Sequence, residues 1–403
     1  MIYNNINKSH LSILAIFFII YFIFYAKYTI FKVNQKYRRY KFYMKLFEKR
    51  RQNLKNSMLH QQIDASIFTP STDYFYLTGS HKQPAQRISA LILTHDHSIL
   101  LLPSIEADNE PHLADELEIL TYTDLDSAEK IICSLLPSKG CVAIGKEMRA
   151  NFLLSMQNHS PNLHWKNADV LLSPLRRKKE PEEIQIIEEA QHMAERSLVK
   201  LLSEPLIGKT ECELASRLME LRLDEGFDAV GEGIIASGTN SALPHHTNGN
   251  RILSYGDVLM FDIGGTYKGY RADFTRTFAI GKIPESFSEI YHVVLHAHLA
   301  AKSAVKENIP AAEIDKIARN IIEKAGYGSY FTHRLGHGIG LDLHEEPFIS
   351  STNTLPLEIG NVFSCEPGIY IPGEFGIRIE DLLVLEENGI RSLNTLTKEL
   401  TIL

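Results

Sequence analysis

The chain has 403 residues, which is longer than a domain with a single hydrophobic core usually is. Its length therefore predicts two domains. Hydrophobic residues at 44% and charged residues at 23% are typical of a soluble globular protein. A formal net charge of -7 provides no basic surface for a polyanion, which excludes nucleic acid as an expected partner. The four cysteines form no CxxC pair, which argues against a thiolate zinc site and a disulfide framework and fits a reducing compartment.

The first 43 residues differ in composition from the rest of the chain. The run from Leu11 to Ala26 is almost wholly apolar and is followed by a basic stretch, which indicates a short signal anchor that leaves the rest in the cytoplasm. Alternatively, this extension is translated non-coding sequence and Met44 is the true start, because 30 of its residues are Phe, Tyr, Ile, Asn or Lys. Both interpretations stay open. The predicted location is cytoplasmic, with membrane contact only if residues 11–26 are a real anchor.

The segment 44–176 is predicted to form a small α/β domain. Short apolar runs at Ala65–Phe68, Ala90–Thr94 and Ser98–Leu102 alternate with polar and helix-like stretches. The composition then turns charged just before Pro181, a residue that the first turn of a helix accepts. We therefore predict the domain boundary after residue 176.

The segment 177–403 is predicted to be α+β. The helix that begins near Pro181 carries apolar residues three or four positions apart, the spacing of one buried face. Thr210 and Glu213 predict a capping box for a second helix, which ends at Gly226. Two further helical patterns cover Glu289–Ala304 and Ala312–Ala325.

A first predicted hairpin carries two aspartates. If Tyr267 and Lys268 are the central loop residues, Asp262 and Asp273 lie directly opposite each other, with Cβ atoms about 5 Å apart. Facing carboxylates repel, and a metal pair about 3.5–4 Å apart would suit that distance. For an isolated aspartate pair near a turn, ordinary turn chemistry would be the simpler interpretation.

A second predicted hairpin repeats this arrangement with glutamates. The midpoint between Glu366 and Glu380 is Gly373, within a Pro-Gly turn, so the two glutamates can also face each other. Arg378 lies two residues before Glu380 and therefore on the same strand face, where it could orient a ligand carboxylate. A surface salt bridge is the alternative role for this arginine.

Histidines lie between and before the two hairpins. His333, His337 and His344 occur in a segment whose glycines discourage a helix, so the helical HExxH zinc motif is not expected. His245 and His246 lie upstream of the first hairpin and could be ordinary loop residues. A set rich in carboxylates, with an imidazole and no sulfur, suits manganese, cobalt or a hydrolytic zinc pair.

With these motifs the chain resembles the pita-bread metallopeptidase family, which includes methionine aminopeptidase, aminopeptidase P and prolidase. The resemblance is strong over residues 177–395 and looser over 44–176, where Tyr76-Leu-Thr-Gly is similar to the N-terminal domain of the Xaa-Pro members. It implies a pita-bread catalytic domain preceded by a smaller, creatinase-like α/β domain. The metal ligands that it implies are Asp262, Asp273, His337, Glu366 and Glu380.

Three features resemble the Xaa-Pro branch of this family: His333 four residues before His337, the sequence Arg378-Ile-Glu380-Asp381, and the additional N-terminal domain. The implied function is hydrolysis of the bond before proline in Xaa-Pro dipeptides, with cleavage at peptide N-termini as the close second. Methionine aminopeptidase is an alternative, because the glycine-rich segment around His337 occurs there in similar form. A non-catalytic peptide-binding module would be expected to lack part of the ligand set.

The resemblance also implies roles and partners. Two divalent ions, manganese or alternatively cobalt or zinc, would activate a water whose proton Glu366 accepts, while His344 stabilises the oxyanion. His245 and His333 would position the substrate or assist the leaving nitrogen, and Arg378 would orient Glu380. His245, and not His246, matches the family's position. Short proline-containing peptides are the expected partners, and a homodimer is the expected assembly.

Overall fold

The computed structural model describes residues 45–110, 113, 116–282 and 285–403. Residues 1–43, for which the sequence allows either a signal anchor or a true start at Met44, lie outside the described residues. The chain divides into two compact units between Ala168 and Asp169, and the boundary after residue 176 stays a prediction of the sequence. In the part that the structure describes, no helix is both long enough and apolar enough to cross a membrane.

The first unit contains a six-stranded mixed sheet. Its helices are α1 (45–60), α2 (Thr72–Thr78), α3 (Ala128–Leu135) and α4 (Ala150–His159). Its strands are β1 (Ala65–Phe68), β2 (Ala90–Thr94), β3 (Ser98–Pro103), β4 (Glu118–Tyr122), β5 (Gly140–Ile144) and β6 (Leu163–Asn167). The strand order is β4-β3-β2-β1-β5-β6, in which β2 is antiparallel to β1 and β3 and the other neighbours are parallel. The three strands predicted from apolar runs are confirmed as β1, β2 and β3, and β3 extends one residue further than predicted, to Pro103.

The second unit combines helices with three sheets. Its helices are α5 (Asp169–Arg177), α6 (Pro181–Leu202), α7 (Glu211–Glu225), α8 (Glu285–Ala304) and α9 (Ala311–Lys324). Its strands are β7 (Ile234–Ser237), β8 (Val258–Tyr267), β9 (Tyr270–Ala279), β10 (Gly336–Gly338), β11 (Glu345–Ile349), β12 (Val362–Cys365), β13 (Gly368–Ile371), β14 (Phe375–Arg378), β15 (Asp381–Glu386) and β16 (Gly389–Ser392). The sheet orders are β7-β8-β9, β11-β10-β12-β15-β16 and β13-β14.

The helix ends follow local capping rules. Thr210 and Glu213 form the predicted capping box at the start of α7, and Gly226 ends that helix in the left-handed conformation at φ 104°. A second capping box, between Glu180 and Glu183, begins α6. The last two helices begin four residues and one residue earlier than predicted.

Two pairs of helices cover the sheets of the second unit. Helices α6 and α7 pack on the three-stranded sheet, where Leu218 shares a buried cluster with Phe261. Helices α8 and α9 pack on the other sheets, where Val294 shares a cluster with Phe363. The buried apolar faces thus hold the strands that carry the acidic residues.

The turn of the first acidic hairpin differs from the prediction. Its central residues are Lys268 and Gly269, with φ of 50° and 84°, and Tyr267 pairs with Tyr270 as the last pair of the ladder. Two successive residues with positive φ are typical of a type I′ turn, which favours glycine in the second position. The prediction centred on Tyr267 and Lys268 is therefore wrong, because it placed the glycine outside the turn.

This shift changes the partners of the two aspartates but not their face. Asp262 lies opposite Thr275, and Asp273 lies opposite Gly264. The residue opposite each aspartate is two positions away from the predicted one. Because side chains alternate with a period of two, both aspartates still point to the same face of the sheet. They are diagonal neighbours, a relation that places Cβ atoms about 7 Å apart rather than about 5 Å.

The second acidic hairpin has the predicted register. Cys365 pairs with Asp381, and Gly368 pairs with Arg378, so Glu366 and the residue before Asp381 occupy opposing positions between these pairs. The prediction that the two glutamates face each other is confirmed by these flanking pairs.

We predict that Gly264→Ala destabilises the second unit, whereas Gly231→Ala does not. A Cβ atom at Gly264 would lie 1.8 Å from the carbonyl oxygen of Ala272, whereas one at Gly231 would meet nothing within 4 Å. Overpacking against backbone costs about 1–3 kcal/mol. Calorimetric melting of both variants measures the difference. Equal melting temperatures for the two variants would contradict the close approach of the strands.

Candidate metal centre

All nine residues singled out from the sequence line one cavity of about 660 Å³ in the second unit. They are His245, Asp262, Asp273, His333, His337, His344, Glu366, Arg378 and Glu380. Four of them are acids, and no other acid lines this cavity among the residues that the structure describes. The cavity is therefore an acidic pocket edged by histidines and arginines.

Strands bring the four acids and one imidazole together. Asp262 lies on β8 and Asp273 on β9, while His337 is the central residue of the short strand β10. Glu366 follows β12 directly, and Glu380 precedes β15 directly. Because β10, β12 and β15 are neighbours in one sheet, the last three residues meet at one place.

The ring of His337 faces the acids with its Nε2 atom. This atom lies 3.3 Å from Glu366 Oε1 and 3.7 Å from Asp273 Oδ2. The other ring nitrogen, Nδ1, lies 3.1 Å from the carbonyl oxygen of Gly338, which can only accept a hydrogen bond. We infer that Nδ1 carries the proton and that Nε2 presents its lone pair to the acids. Potential ligand atoms of Asp273, His337 and Glu380 all lie within 4.8 Å of one another.

Burial and mutual repulsion disfavour the charged forms of these groups. Burial, together with the charge of Asp262, raises the pKa of Asp273 well above its usual range. Burial raises the pKa of Glu366 to about 7 and, together with the charge of Asp273, raises that of Glu380 well above its ordinary value. Burial likewise lowers the pKa of His337 to about 3, so its imidazole is neutral. A divalent cation would relieve the repulsion among the acids.

The residues present fit a bound metal. Glu380 Oε1 is buried and has no hydrogen-bond partner within the described part of the chain, whereas Oε2 accepts a hydrogen bond of 2.8 Å from the Thr275 hydroxyl. An unpartnered buried carboxylate oxygen is costly unless something positive meets it. Four carboxylates and one imidazole nitrogen suit hard or borderline divalent ions. Asp262, Asp273, His337, Glu366 and Glu380 could therefore hold them.

Arg378 contacts a different acid from the one predicted. Its Nη2 donates to Asp262 Oδ2 at 2.5 Å and its Nη1 donates to the Tyr370 hydroxyl at 2.7 Å. It reaches Glu380 only through Thr275, to whose Oγ1 its Nε donates at 3.1 Å. The prediction that it orients Glu380 directly is wrong, because β14 ends at Arg378 and strand alternation does not continue to Glu380.

Both ring nitrogens of His333 are engaged. Its Nδ1 lies 2.7 Å from the carbonyl oxygen of Arg334, and its Nε2 lies 2.9 Å from the Tyr370 hydroxyl. Since the carbonyl only accepts, Nδ1 donates to it and Nε2 accepts from the hydroxyl. Burial lowers the pKa of His333 to about 4, consistent with a neutral ring. Tyr370 therefore donates to His333 while it accepts from Arg378, which links these three residues in one chain.

The remaining histidines separate into two groups. His344 is in edge-to-face contact with His337, with ring centroids 4.2 Å apart, and His245 is exposed at the cavity wall. His246 instead forms a 2.7 Å contact with the buried Glu211 and does not line the cavity. The structure thus brings His245, and not His246, to the site.

Sequence reasoning did not identify several supporting residues. Ser364 contacts His337 and Glu366 from two positions before the glutamate, and Thr275 lies two positions after Asp273, so strand alternation could have indicated both. Gln191 on α6 accepts from the backbone N–H of Asp273 and donates to its carbonyl, each at 2.8 Å. No local sequence signal points to this glutamine.

Comparisons with known proteins agree with this geometry. Residues 185–387 match the profile of metallopeptidase family M24, and residues 50–178 match the creatinase/prolidase N-terminal domain. The chain belongs to metallopeptidase family M24. It is accordingly a peptidase that acts on peptides and uses divalent metal ions. The predicted α+β fold, a pita-bread catalytic domain with a creatinase-like domain before it, is confirmed.

Relatives within family M24 are similar over most of the chain. The probable dipeptidase PepE of Mycobacterium tuberculosis is 35% identical over 83% of this chain and 91% of its own length. The dipeptidase of Pyrococcus horikoshii is 35% identical with a TM-score of 0.83, covering 89% of this chain and 100% of that one. The prolidase of Thermococcus sibiricus is 32% identical with a TM-score of 0.84, and the match covers 89% of this chain and 99% of the prolidase chain.

We predict that manganese stabilises the protein after its metal has been removed by a chelator. At about 100 times the dissociation constant, binding contributes about 2.7 kcal/mol, which raises the melting temperature by about 5–10 °C. Calorimetry with and without Mn²⁺ measures this rise. In Glu380→Gln the rise should be smaller, because a neutral amide is a weaker metal ligand than a carboxylate.

The matched control is Glu358→Gln, which removes an acid that pairs with Arg177 and Lys178 outside the cavity. It should retain the full metal-dependent rise. A rise of equal size in Glu380→Gln and Glu358→Gln would contradict the assignment of Glu380 to the metal centre.

Proposed function

We propose that this chain is an Xaa-Pro dipeptidase, which hydrolyses the peptide bond preceding proline with two divalent ions, manganese being the expected metal. The observation that carries the proposal is the cluster of four carboxylates in one cavity, two of them buried, with one carboxylate oxygen, Glu380 Oε1, left without a partner among the described residues. Similarity to proteins named dipeptidase and prolidase supports the substrate class. The homodimer stays a prediction from the resemblance.

The residues that hold the ions would be Asp262, Asp273, His337, Glu366 and Glu380. Two bound divalent ions would supply a water of lowered pKa and polarise the scissile carbonyl. Glu366 would accept the proton of the attacking water, since its carboxylate lines the cavity and its Oε1 is held at 3.1 Å by the Ser364 hydroxyl.

Histidines on the cavity wall would act on the substrate. His344 is exposed beside His337 and would donate a hydrogen bond to the carbonyl oxygen as negative charge develops there. The exposed ring of His245 would contact the substrate or assist the leaving nitrogen. His333, whose ring nitrogens both have partners, would act as a positioning residue that holds Tyr370 and, through it, Arg378.

Bonds to proline call for a dedicated site. The proline nitrogen carries no hydrogen, so a peptidase that recognises the N–H of the residue after the scissile bond cannot use that contact. Xaa-Pro aminopeptidase action on longer peptides is the second candidate. The cavity volume of about 660 Å³, within the range of about 300–1,000 Å³ that is usual for drug-sized ligands, is compatible with peptides longer than a dipeptide.

The test is hydrolysis of Ala-Pro, Ala-Pro-Ala and Met-Ala-Ser by the full chain, stripped of metal and then supplied with manganese. Metal-dependent cleavage of Ala-Pro with little cleavage of Ala-Pro-Ala supports the dipeptidase. Efficient cleavage of Ala-Pro-Ala supports the aminopeptidase instead. Cleavage of Met-Ala-Ser alone, or of no substrate, would refute the Xaa-Pro assignment.

We predict that Glu366→Gln lowers kcat for Ala-Pro by about 10²–10⁴-fold, because the variant cannot accept a proton from water. The control is Glu374→Gln, an exposed residue in the turn of the same hairpin, which should keep kcat within about twofold. Circular dichroism and calorimetry verify that both variants fold. A folded Glu366→Gln variant with wild-type kcat would exclude Glu366 as the general base.

A further inference from the structure

The adjacent histidines His245 and His246 lie in one tight turn. The backbone N–H of His246 donates to the carbonyl oxygen of Leu243 at 3.1 Å, so the turn runs from Leu243 to His246. Pro244 occupies the second position of the turn, where its fixed φ is favourable. His245 is the third residue, and its side chain lines the cavity, whereas that of His246 does not. The turn therefore carries one histidine to the cavity and leaves the other for a different contact.

The side chain of His246 joins this turn to helix α7. Its Nε2 lies 2.7 Å from Oε2 of Glu211, the first residue of α7. Burial alone would raise the pKa of Glu211, but hydrogen bonds from Ser237, Asn240 and His246 outweigh it and hold that pKa below its ordinary value. The carboxylate is therefore ionised. Because an ionised carboxylate only accepts hydrogen bonds, Nε2 of His246 carries the proton and donates it to this contact.

Glu211 is a fully buried carboxylate at which several parts of one loop meet. Its Oε1 accepts from the backbone N–H and the hydroxyl of Ser237, at 2.8 and 2.7 Å, and from Asn240 Nδ2 at 3.0 Å. Its Oε2 accepts from the backbone N–H of Gly249 at 3.1 Å as well as from His246. Five donors thus surround one carboxylate. They fix the start, the turn and the end of the segment from Ser237 to Gly249, which we call the histidine loop.

The orientation of His245 depends on the contact that its neighbour makes. Adjacent Cα atoms lie about 3.8 Å apart, so a fixed ring at His246 restricts where the side chain of His245 can point. Within the described residues, one other side chain reaches the turn from elsewhere: Arg378 Nη1 lies 3.4 Å from the carbonyl oxygen of Pro244, a long and therefore weak contact. The short hydrogen bond from His246 to Glu211 is thus the main side-chain anchor of the turn.

We propose that Glu211 and His246 are positioning residues, which hold the ring of His245 at the cavity for its contact with the substrate. This inference rests on the role of His245 in the proposed dipeptidase. His246 does not line the cavity and acts only through the turn that it closes and anchors. A displacement of about 1 Å in a group that contacts the substrate can lower the rate by about 100-fold.

The first test measures hydrolysis of Ala-Pro by variants of the manganese-loaded full chain. His246→Leu, which cannot donate a hydrogen bond, should lower kcat/KM by about 10- to 100-fold, and by no more than His245→Ala does. The loss should appear in the same constant, kcat or KM, as the loss in His245→Ala. His246→Gln should recover most of the activity, because its amide can donate to Glu211 from a similar reach. Glu211→Gln should reproduce the loss, because its NH₂ group would face donors.

A double-mutant cycle separates positioning from a general loss of structure. If His246 acts through His245, adding His246→Leu to a chain that already carries His245→Ala should change kcat/KM by less than about twofold. A merely structural role predicts losses that multiply. Calorimetry should show that His246→Leu keeps the manganese-dependent rise in melting temperature, since none of the five proposed ligands is changed. Should His246→Leu not fold, the same cycle is run with His246→Asn, whose shorter side chain cannot place a donor at the position of Nε2.

The matched controls remove a histidine and a glutamate that lie outside the cavity. His292 is exposed on α8, and its Nδ1 lies 2.6 Å from the carbonyl oxygen of Ser288. Glu225 lies at the other end of α7 from the histidine loop and pairs with Arg196 and Lys200. The variants His292→Leu and Glu225→Gln should both retain the kcat/KM of wild type.

The outcomes separate this inference from the function on which it rests. If wild type does not cleave Ala-Pro, or if His245→Ala is as active as wild type, the proposed function or the role of His245 fails, and this inference fails with it. If His245→Ala is impaired while folded His246→Leu keeps the kcat/KM of wild type, the anchor does not position His245. If the two losses multiply in the double variant, His246 has a merely structural role. Either of the last two results overturns the inference and leaves the dipeptidase intact.

Discussion

Repulsion among four carboxylates that line one cavity is the constraint to which the surrounding structure responds. Removing a carboxylate from water is costly, and placing it beside others raises that cost. The protein offsets part of it with one cation, Arg378 on Asp262, and with hydroxyl donors, Thr275 to Glu380 and Ser364 to Glu366. These contacts leave most of the negative charge uncompensated, which is the condition under which divalent ions bind strongly.

Burial keeps the imidazoles of His337 and His333 neutral, and their hydrogen bonds fix which ring nitrogen carries the proton. The ring of His337 donates to a backbone carbonyl and keeps its lone pair toward the acids, and His333 accepts from Tyr370, which in turn accepts from Arg378. Burial lowers the pKa of both imidazoles. Neutral rings can serve as a metal ligand and as a fixed positioning group, whereas protonated rings would add charge beside Arg378 and lose the lone pair.

Motif spacing and strand alternation predicted the site better than they predicted its details. The four candidate acids were found together because a register error of two residues leaves every side chain on its face, so the misplaced turn at Gly269 still left Asp262 and Asp273 together. The partner of Arg378 was predicted wrongly because a strand ends there, a tertiary feature that local alternation does not reveal. Gln191 supports Asp273 from a distant helix, and such contacts depend on packing rather than on local pattern.

The most direct test of the two-metal site is a crystal structure of the manganese-loaded protein with data collected at the manganese absorption edge. The account predicts two anomalous peaks about 3.5–4 Å apart, enclosed by Asp262, Asp273, His337, Glu366 and Glu380. No peak in this cavity, or manganese bound only by other residues, would contradict it.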